Sequence, residues 1–204
     1  MIKILIADDH KIVRLGLVAL FESEPDLSVV AQAEDGQDAV RKTASLHPDV
    51  AILDLMMPKM DGVTAIAKLR ETHPGIRIVA LTSFSTSDVL IQAQKAGADA
   101  VVLKTDDDSF LLKAIREVCD GRKYLSPEAR GLLKSDPPLP PLSNRQQEVL
   151  QALGHGYTNR DIALQLGISS RSVEVHVNTL LAKIGAANRT EAVAIALRKH
   201  LLKI

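Results

Sequence analysis

Four short apolar runs in the first half of the chain each end on a side chain capable of chemistry. IKILIA (Ile2–Ala7) runs into Asp8 and Asp9, VAIL (Val50–Leu53) into Asp54, IRIVAL (Ile76–Leu81) into Thr82 and Ser83, and AVVL (Ala100–Leu103) into Lys104. Taken singly, an aspartate after a strand is a turn or helix cap, and a lysine there is solvated. Brought together, three carboxylates repel unless a cation neutralises them. Mg²⁺ suits such a site, with few oxygen ligands from protein and several waters. With the Lys104 ammonium and the Thr82 hydroxyl added, the set meets the needs of a phosphoryl group. Its equatorial oxygens seek cations and donors, and its phosphorus is open to attack by a carboxylate such as Asp54.

The elements that would bring these residues together are legible in the hydrophobic pattern. The four runs and Leu27–Ala33 are short, β-branched and apolar, as strands are. Between them lie segments of helical periodicity, at about 12–23, 36–46, 62–72, 86–96 and 108–120, with Pro25, Pro48, Pro74 and Gly97 as stops. Five strand–helix repeats predict an α/β (βα)5 domain, a parallel sheet with right-handed crossovers and helices on both faces, and the expected class is flavodoxin-like, whose strand order is 2-1-3-4-5. In that order the ends of strands 1 and 3 are neighbours, so Asp8, Asp9 and Asp54 converge where such sheets bind ligands.

A change of texture follows. SDPPLPPLS (135–143) has four prolines in nine residues and reads as a stiff extended linker, preceded by a short helix from Ser126–Pro127 to about Lys134. Beyond it the pattern is all helical, at about 144–153, 159–166, 170–184 and 190–202, with capping-box spacing at Ser143/Gln146, Thr158/Asp161 and Asn188/Glu191. The expected division is 1–120, a linker 121–142 and an all-α four-helix domain 143–204. Charge follows it: residues 1–136 carry 17 Lys+Arg against 21 Asp+Glu, and residues 137–204 carry 8 against 4, within a net charge of zero. An acidic first part and a basic second part point to different partners.

Composition excludes several classes. The 204 residues are 46% hydrophobic and 25% charged, ordinary for a globular protein, and only 2% aromatic, so Leu, Ile, Val and Ala must build the cores. The single cysteine, Cys119, cannot form an internal disulfide. No apolar stretch approaches the ~18–20 residues of a membrane span. No membrane partner and a cytoplasmic location are expected.

In the second domain, two helices joined by a glycine-containing turn near 166–169 have helix-turn-helix spacing. On a helix over 170–184, Val173, Val177, Leu180, Leu181 and Ile184 form an inward stripe, and Arg171, Glu174, Val175, Asn178 and Ala182 face outward. Arg, Asn, Glu and Val suit guanine, adenine, cytosine and the thymine methyl respectively. Ser172, His176, Thr179 and Lys183 along an edge, with Thr158, Asn159 and Arg160, suit phosphates.

The motifs ILIADDH, ILDLMMPKMDG, ALTS and VVLKT, in that order, resemble the receiver domain of two-component response regulators. LSNRQQEVLQALGHGYTNRDIALQLGISSRSVEVHVNTLLAKIGAANRTEAV resembles the LuxR-type helix-turn-helix, and together they resemble a NarL/FixJ-type regulator over nearly the full chain. The resemblance implies that Asp54 is the phosphate acceptor, Asp9 a direct and Asp8 an indirect Mg²⁺ ligand, and the Met56 carbonyl a further ligand. It implies that Lys104 holds the phosphoryl oxygen and that Thr82 is the switch hydroxyl. It also implies a sensor histidine kinase, a double-stranded DNA operator and a homodimer formed on phosphorylation.

Three features depart from the pattern. Receivers usually carry Tyr or Phe three residues before the lysine, where this chain has Val101, and often Pro after it, where it has Thr105. A weaker or different switch is therefore expected. Many relatives carry Lys or Arg at Glu174 and Asn178, so phosphate attraction here would rest on Arg145, Arg160, Arg171, Lys183 and Arg189. Apolar Met56 and Phe84 beside the acceptor predict a slowly hydrolysing phosphoryl-aspartate. In the last helix, expected over Thr190–Leu202, Ala192, Val193, Ile195, Ala196 and Leu197 offer a dimer surface. Two other classes are weighed. A Mg²⁺-dependent phosphatase or transferase lacks a paired acid two residues past Asp54, where Met56 sits, so only self-phosphorylation and self-hydrolysis are expected. A pure interaction module has its footing in Glu174.

Overall fold

β-Branched and aliphatic runs pair in parallel to make one sheet. In a computed structural model that describes residues 1–83, 86–136, 138–199 and 201–202, the chain forms two compact units, Met1–Asp136 and Pro137–Ile204. In the first, β1 (Ile2–Ala7), α1 (Lys11–Glu22), β2 (Leu27–Ala33), α2 (Gly36–Leu46), β3 (Val50–Asp54), α3 (Gly62–Thr72), β4 (Arg77–Thr82), α4 (Ser87–Ala96), β5 (Ala100–Leu103) and α5 (Asp108–Cys119) alternate as expected. They are followed by β6 (Tyr124–Leu125) and α6 (Pro127–Ser135). The strand order is β2-β1-β3-β4-β5-β6.

Alternation along each strand divides the core in two. Leu5, Ala51, Leu53, Ile78 and Ala80 point to the side that packs against Ala65, Ile66, Leu69, Leu90 and Ala93. Ile4, Ile6, Val50, Ile52 and Val79 point to the side of Leu17, Phe21, Leu111, Ile115 and Val118. With both faces covered, β3 is buried along its whole length, which is why its sequence is a continuous apolar run.

The segment expected as linker holds more structure than its prolines suggest. β6 pairs in parallel with β5, Val101 opposite Leu125, and α6 buries Ala129 in the first core, with Leu125, Leu132 and Leu133 against it. Two residues are too short a strand to show periodicity, and the fold recruits them because β5 otherwise ends the sheet.

The second unit comprises α7 (Asn144–Gly154), α8 (Asn159–Leu166), α9 (Ser170–Ile184) and α10 (Arg189–Arg198). Capping boxes start α7 at Ser143/Gln146 and α8 at Thr158/Asp161, and Gly167 and Gly185 end α8 and α9 in the left-handed region. Val149, Leu153, Ile162, Val173, Val177, Leu180 and Ala196 make its core. α10 stops at Arg198 instead of running to 202, because Leu201 turns back to donate to the Ala196 carbonyl and Leu202 buries in the core. Among the described residues no helix is long and apolar enough to cross a membrane.

One glycine bears directly on the site. A Cβ on Gly62, the first residue of α3, would lie 2.0 Å from the Asp54 carbonyl oxygen, while the Gly62 amide donates to the Leu55 carbonyl at 3.0 Å. Gly62→Ala is expected to destabilise the first unit by about 3 kcal/mol, the upper end of overpacking costs, measured by urea unfolding.

Candidate functional site

The carboxyl ends of β1, β3 and β5 meet as expected, and the Lys104 ammonium holds them together. Its Nζ donates to Asp8 Oδ2 at 2.5 Å and to Asp54 Oδ2 at 2.8 Å. Both carboxylates are almost entirely buried and the ammonium is largely so. Burial pushes the Asp54 carboxyl above the usual carboxylate range against the opposing pull of Lys104, with the Asp8 charge adding to the rise. Burial disfavours the Lys104 ammonium too, but its hydrogen bonds to Asp54 and Asp8 outweigh that and raise its pKa.

Local backbone fixes each group. The β3–α3 turn folds over Asp54, whose Oδ1 accepts from the Met56 amide at 3.3 Å. That turn is tied down by Lys59, which reaches 2.6 Å to the buried Asp35, itself the N-cap of α2. Asp61 caps α3. Thr82, at the end of β4, is fully buried, and its carbonyl accepts from the Lys104 amide at 2.7 Å. The Met56 side chain is 40% exposed at the rim, and Phe84 lies outside the described residues.

Two participants escaped the sequence. His10 Nδ1 lies 2.7 Å from Asp9 Oδ1, and the His10 amide donates to Asp8 Oδ1 at 2.8 Å. Arg14, buried one turn into α1, donates to the Asp8 carbonyl at 2.6 Å and pairs with Glu34 at 2.7 Å, anchoring the β1–α1 corner. The signal for His10 was its adjacency to the Asp pair. Arg14 had none, since its hydrophilicity argues for an exposed position.

Asp8, Asp9, His10 and Asp54 each offer a ligand atom within 4.8 Å of the others. Three carboxylates make this a donor set for a hard cation. The residues therefore fit Mg²⁺, with Asp8, Asp9 and Asp54 as its oxygen donors.

In the second unit the structure exposes Arg171, Glu174, Val175 and Asn178 on α9 and buries Val173, Val177, Leu180 and Ile184. Arg160 is exposed, and Asn159, His176 and Lys183 are half-buried, Lys183 Nζ reaching Gln146 Oε1 at 3.2 Å. Thr158, Ser172 and Thr179 are placed at the edge, but their hydroxyls are engaged within the fold. Thr158 donates to Asp161 at 2.6 Å, Ser172 pairs with Ser169 at 2.8 Å, and Thr179 donates to the Val175 carbonyl at 2.8 Å. Arg145 and Arg189 are likewise tethered, to the Leu166 and Tyr157 carbonyls. On α10 the expected dimer surface needs a correction: Ala192 and Ala196 are both fully buried within the unit and cannot meet a partner. Val193 and Ile195 are half-buried, and Leu197 is 40% exposed.

Comparison with known proteins agrees with this anatomy. Residues 4–116 match the response regulator receiver domain, and residues 140–196 match the bacterial regulatory proteins of the luxR family. The chain is 35% identical to the transcriptional regulatory protein LiaR of Bacillus subtilis over 99% of this chain and 100% of LiaR. It is similar to the crystal structure of the response regulator ChrA of a heme-sensing two-component system (35% identity, TM-score 0.60, 98% of each chain). It is also similar to RcsB of Salmonella enterica serovar Typhimurium bound to promoter rprA in the presence of the phosphomimetic BeF3⁻ (26% identity, TM-score 0.72, 96% of this chain and 98% of that one).

The direction of the Asp54 shift predicts a pH effect. A carboxyl whose folded pKa is raised contributes stability at low pH that is lost as pH rises through that pKa. Ionising the buried Asp54 therefore costs stability as pH rises. With chelator present, Asp54→Asn is expected to unfold a few degrees higher than the parent at pH 7. Thermal unfolding across pH should show the gain shrinking as Asp54 protonates.

Proposed function

The chain belongs to the response regulators that join a receiver domain to a LuxR-type DNA-binding domain, and from that premise we propose that it is a transcription regulator switched by phosphorylation of Asp54. The observation that carries this reading is the buried Asp8–Lys104–Asp54 bridge at the open end of the sheet. Residues 1–120, within the first unit, are assigned the receiver role, and residues 143–204 the reading of DNA.

The donor is a phosphohistidine on a sensor histidine kinase. An Asp54 carboxylate oxygen attacks phosphorus, the P–N bond breaks, and the electron pair leaves with the histidine. Asp9, Asp54 and the Met56 carbonyl directly, and Asp8 indirectly, would hold Mg²⁺, which would supply charge neutralisation at the phosphoryl oxygens. Lys104 loses its ion pair with Asp54 as that carboxylate becomes an acyl phosphate, and turns its ammonium to a phosphoryl oxygen. Thr82 donates its hydroxyl to another. The added charge then biases an equilibrium toward a homodimer. Two α9 helices would occupy half-sites about one helical turn apart on double-stranded DNA, with Leu197, Val193 and Ile195 as the apolar contact on α10. Arg171, Glu174, Val175 and Asn178 read bases, and Asn159, Arg160, His176 and Lys183 hold the backbone. RcsB bound to a promoter with a phosphomimetic supports the pairing of the two events.

Two measurements test this. Intact mass after incubation with Mg²⁺ and acetyl phosphate should show one phosphate adduct on the wild type and none on Asp54→Asn, nor on wild type with chelator. An adduct retained by Asp54→Asn would remove the assignment. On DNA selected from a random pool, Arg171→Ala or Asn178→Ala should each cost about 1–3 kcal/mol and relax preference at one base position. Arg160→Ala should weaken all sequences alike and lower the salt slope by about 1.

A further inference from the structure

α4 begins without a cap of its own. Its N-cap residue, Thr86, makes no side-chain cap hydrogen bond, and the buried Thr86 Oγ1 has no hydrogen-bond partner among the described residues. The acceptor comes instead from far along the chain: Asp136 Oδ2 takes both the Ser87 amide and the Ser87 hydroxyl, each at 3.3 Å. A carboxylate at a helix N-terminus satisfies an orphan donor and complements the helix dipole. Asp136 is the C-cap residue of α6 and the last residue of the first unit.

The other end of α6 is tied as well. Thr105 Oγ1 donates to Glu128 Oε2 at 2.7 Å, in the first turn of α6. Thr105 follows Lys104 directly, and Ser87 lies five residues after Thr82. Each of the two residues assigned to the phosphoryl oxygens thus has an α6 contact a short way downstream. Between the two ties, α6 and β6 cover the β5 edge over Val101, which is fully buried, in the core that also holds Ala129. Val101 itself carries no aromatic ring to rotate.

We propose that α6 is the receiver's output latch: the Asp136 carboxylate caps α4 in the unmodified protein and is released when Thr82 is drawn toward a phosphoryl group on Asp54. This rests on the phosphoacceptor reading of Asp54. The connection from Thr82 to α4 is short, so a displacement of Thr82 is carried to Ser87, and a hydrogen-bonded pair at 3.3 Å has little distance to spare. Release acts at the residue where the chain leaves the first unit, so the switch reaches the Pro-rich segment without an aromatic relay. By linkage, a cap that favours the unmodified state also opposes phosphorylation, and removing it must favour both release and modification.

The test uses the full chain, with Asp136→Ala, the conservative Asp136→Asn, and Ser87→Ala, which removes one of the two donors. Amide exchange over α4 and the phosphate adduct at limiting acetyl phosphate with Mg²⁺ are read by mass spectrometry. In the wild type, phosphorylation should speed exchange at the start of α4. Unmodified Asp136→Ala should already exchange about fivefold faster there, the usual effect of losing a helix cap. It should reach half-modification at about a fivefold lower donor concentration, with the other two variants in between. Wild-type exchange at α4 unchanged by the adduct, or Asp136→Ala matching wild type in both readouts, would overturn the latch. If the wild type takes no adduct at all, the phosphoacceptor reading fails and the release step with it. Exchange in unmodified Asp136→Ala then reports separately whether the cap itself exists.

Discussion

Two carboxylates, Asp8 and Asp54, are buried a few ångströms apart, with one ammonium, from Lys104, shared between them. Like charges in a poorly solvated place are tolerated only with a counter-charge at hydrogen-bond distance. Much of the first unit's geometry can be traced to keeping those three groups in register. The parallel order sets β1 beside β3 and places β5 one strand beyond β4, so that a long lysine side chain spans the gap. The bridge is also poised to change, because a group that modifies Asp54 removes one of the two partners on which the Lys104 ammonium depends.

Around that bridge the supporting contacts come from backbone as much as from side chains. Gly62 lets α3 begin against the Asp54 carbonyl, closer than any side chain permits. Lys59 and Asp35 pin the turn that passes over Asp54, and Arg14 anchors the corner that bears Asp8 and Asp9. The extra strand and helix then close the β5 side. Val101 stands where receivers usually carry an aromatic residue, and its burial beneath β6 gives a physical reason for a small side chain: a ring there would have to displace Leu125 and Ala129.

The second unit separates its tasks by helix face. One stripe of α9 fills the core, and the opposite stripe presents Arg171, Glu174, Val175 and Asn178. The hydroxyls of Thr158, Ser172 and Thr179 are spent on caps and helix carbonyls. Arg171 and Asn178 remain exposed on that face. With Glu174 on the same face, that leaves a modest positive surface.

Much of this was legible in the residues alone. Periodicity of two and of 3.6 is imposed by backbone geometry, so the five strands and their helices, the four-helix second unit and the caps at Ser143, Thr158 and Asn188 follow from local pattern. Asp54, Asp8, Asp9 and Lys104 stood out because a charged residue at the end of a buried strand is costly unless it has a use. Local pattern does not carry the contacts that depend on chain segments meeting from a distance. β6 is two residues long. Arg14 is buried by the corner it supports, Ala196 by the core it completes, and α10 ends early because Leu202 has a pocket to fill. Asp136 caps a helix 49 residues away. The residues alone specify the five main strands and their helices and which side chains reach the sheet's open end. The tertiary structure alone decided which charges pair and what covers the β5 edge, because those depend on distances between segments remote in the chain.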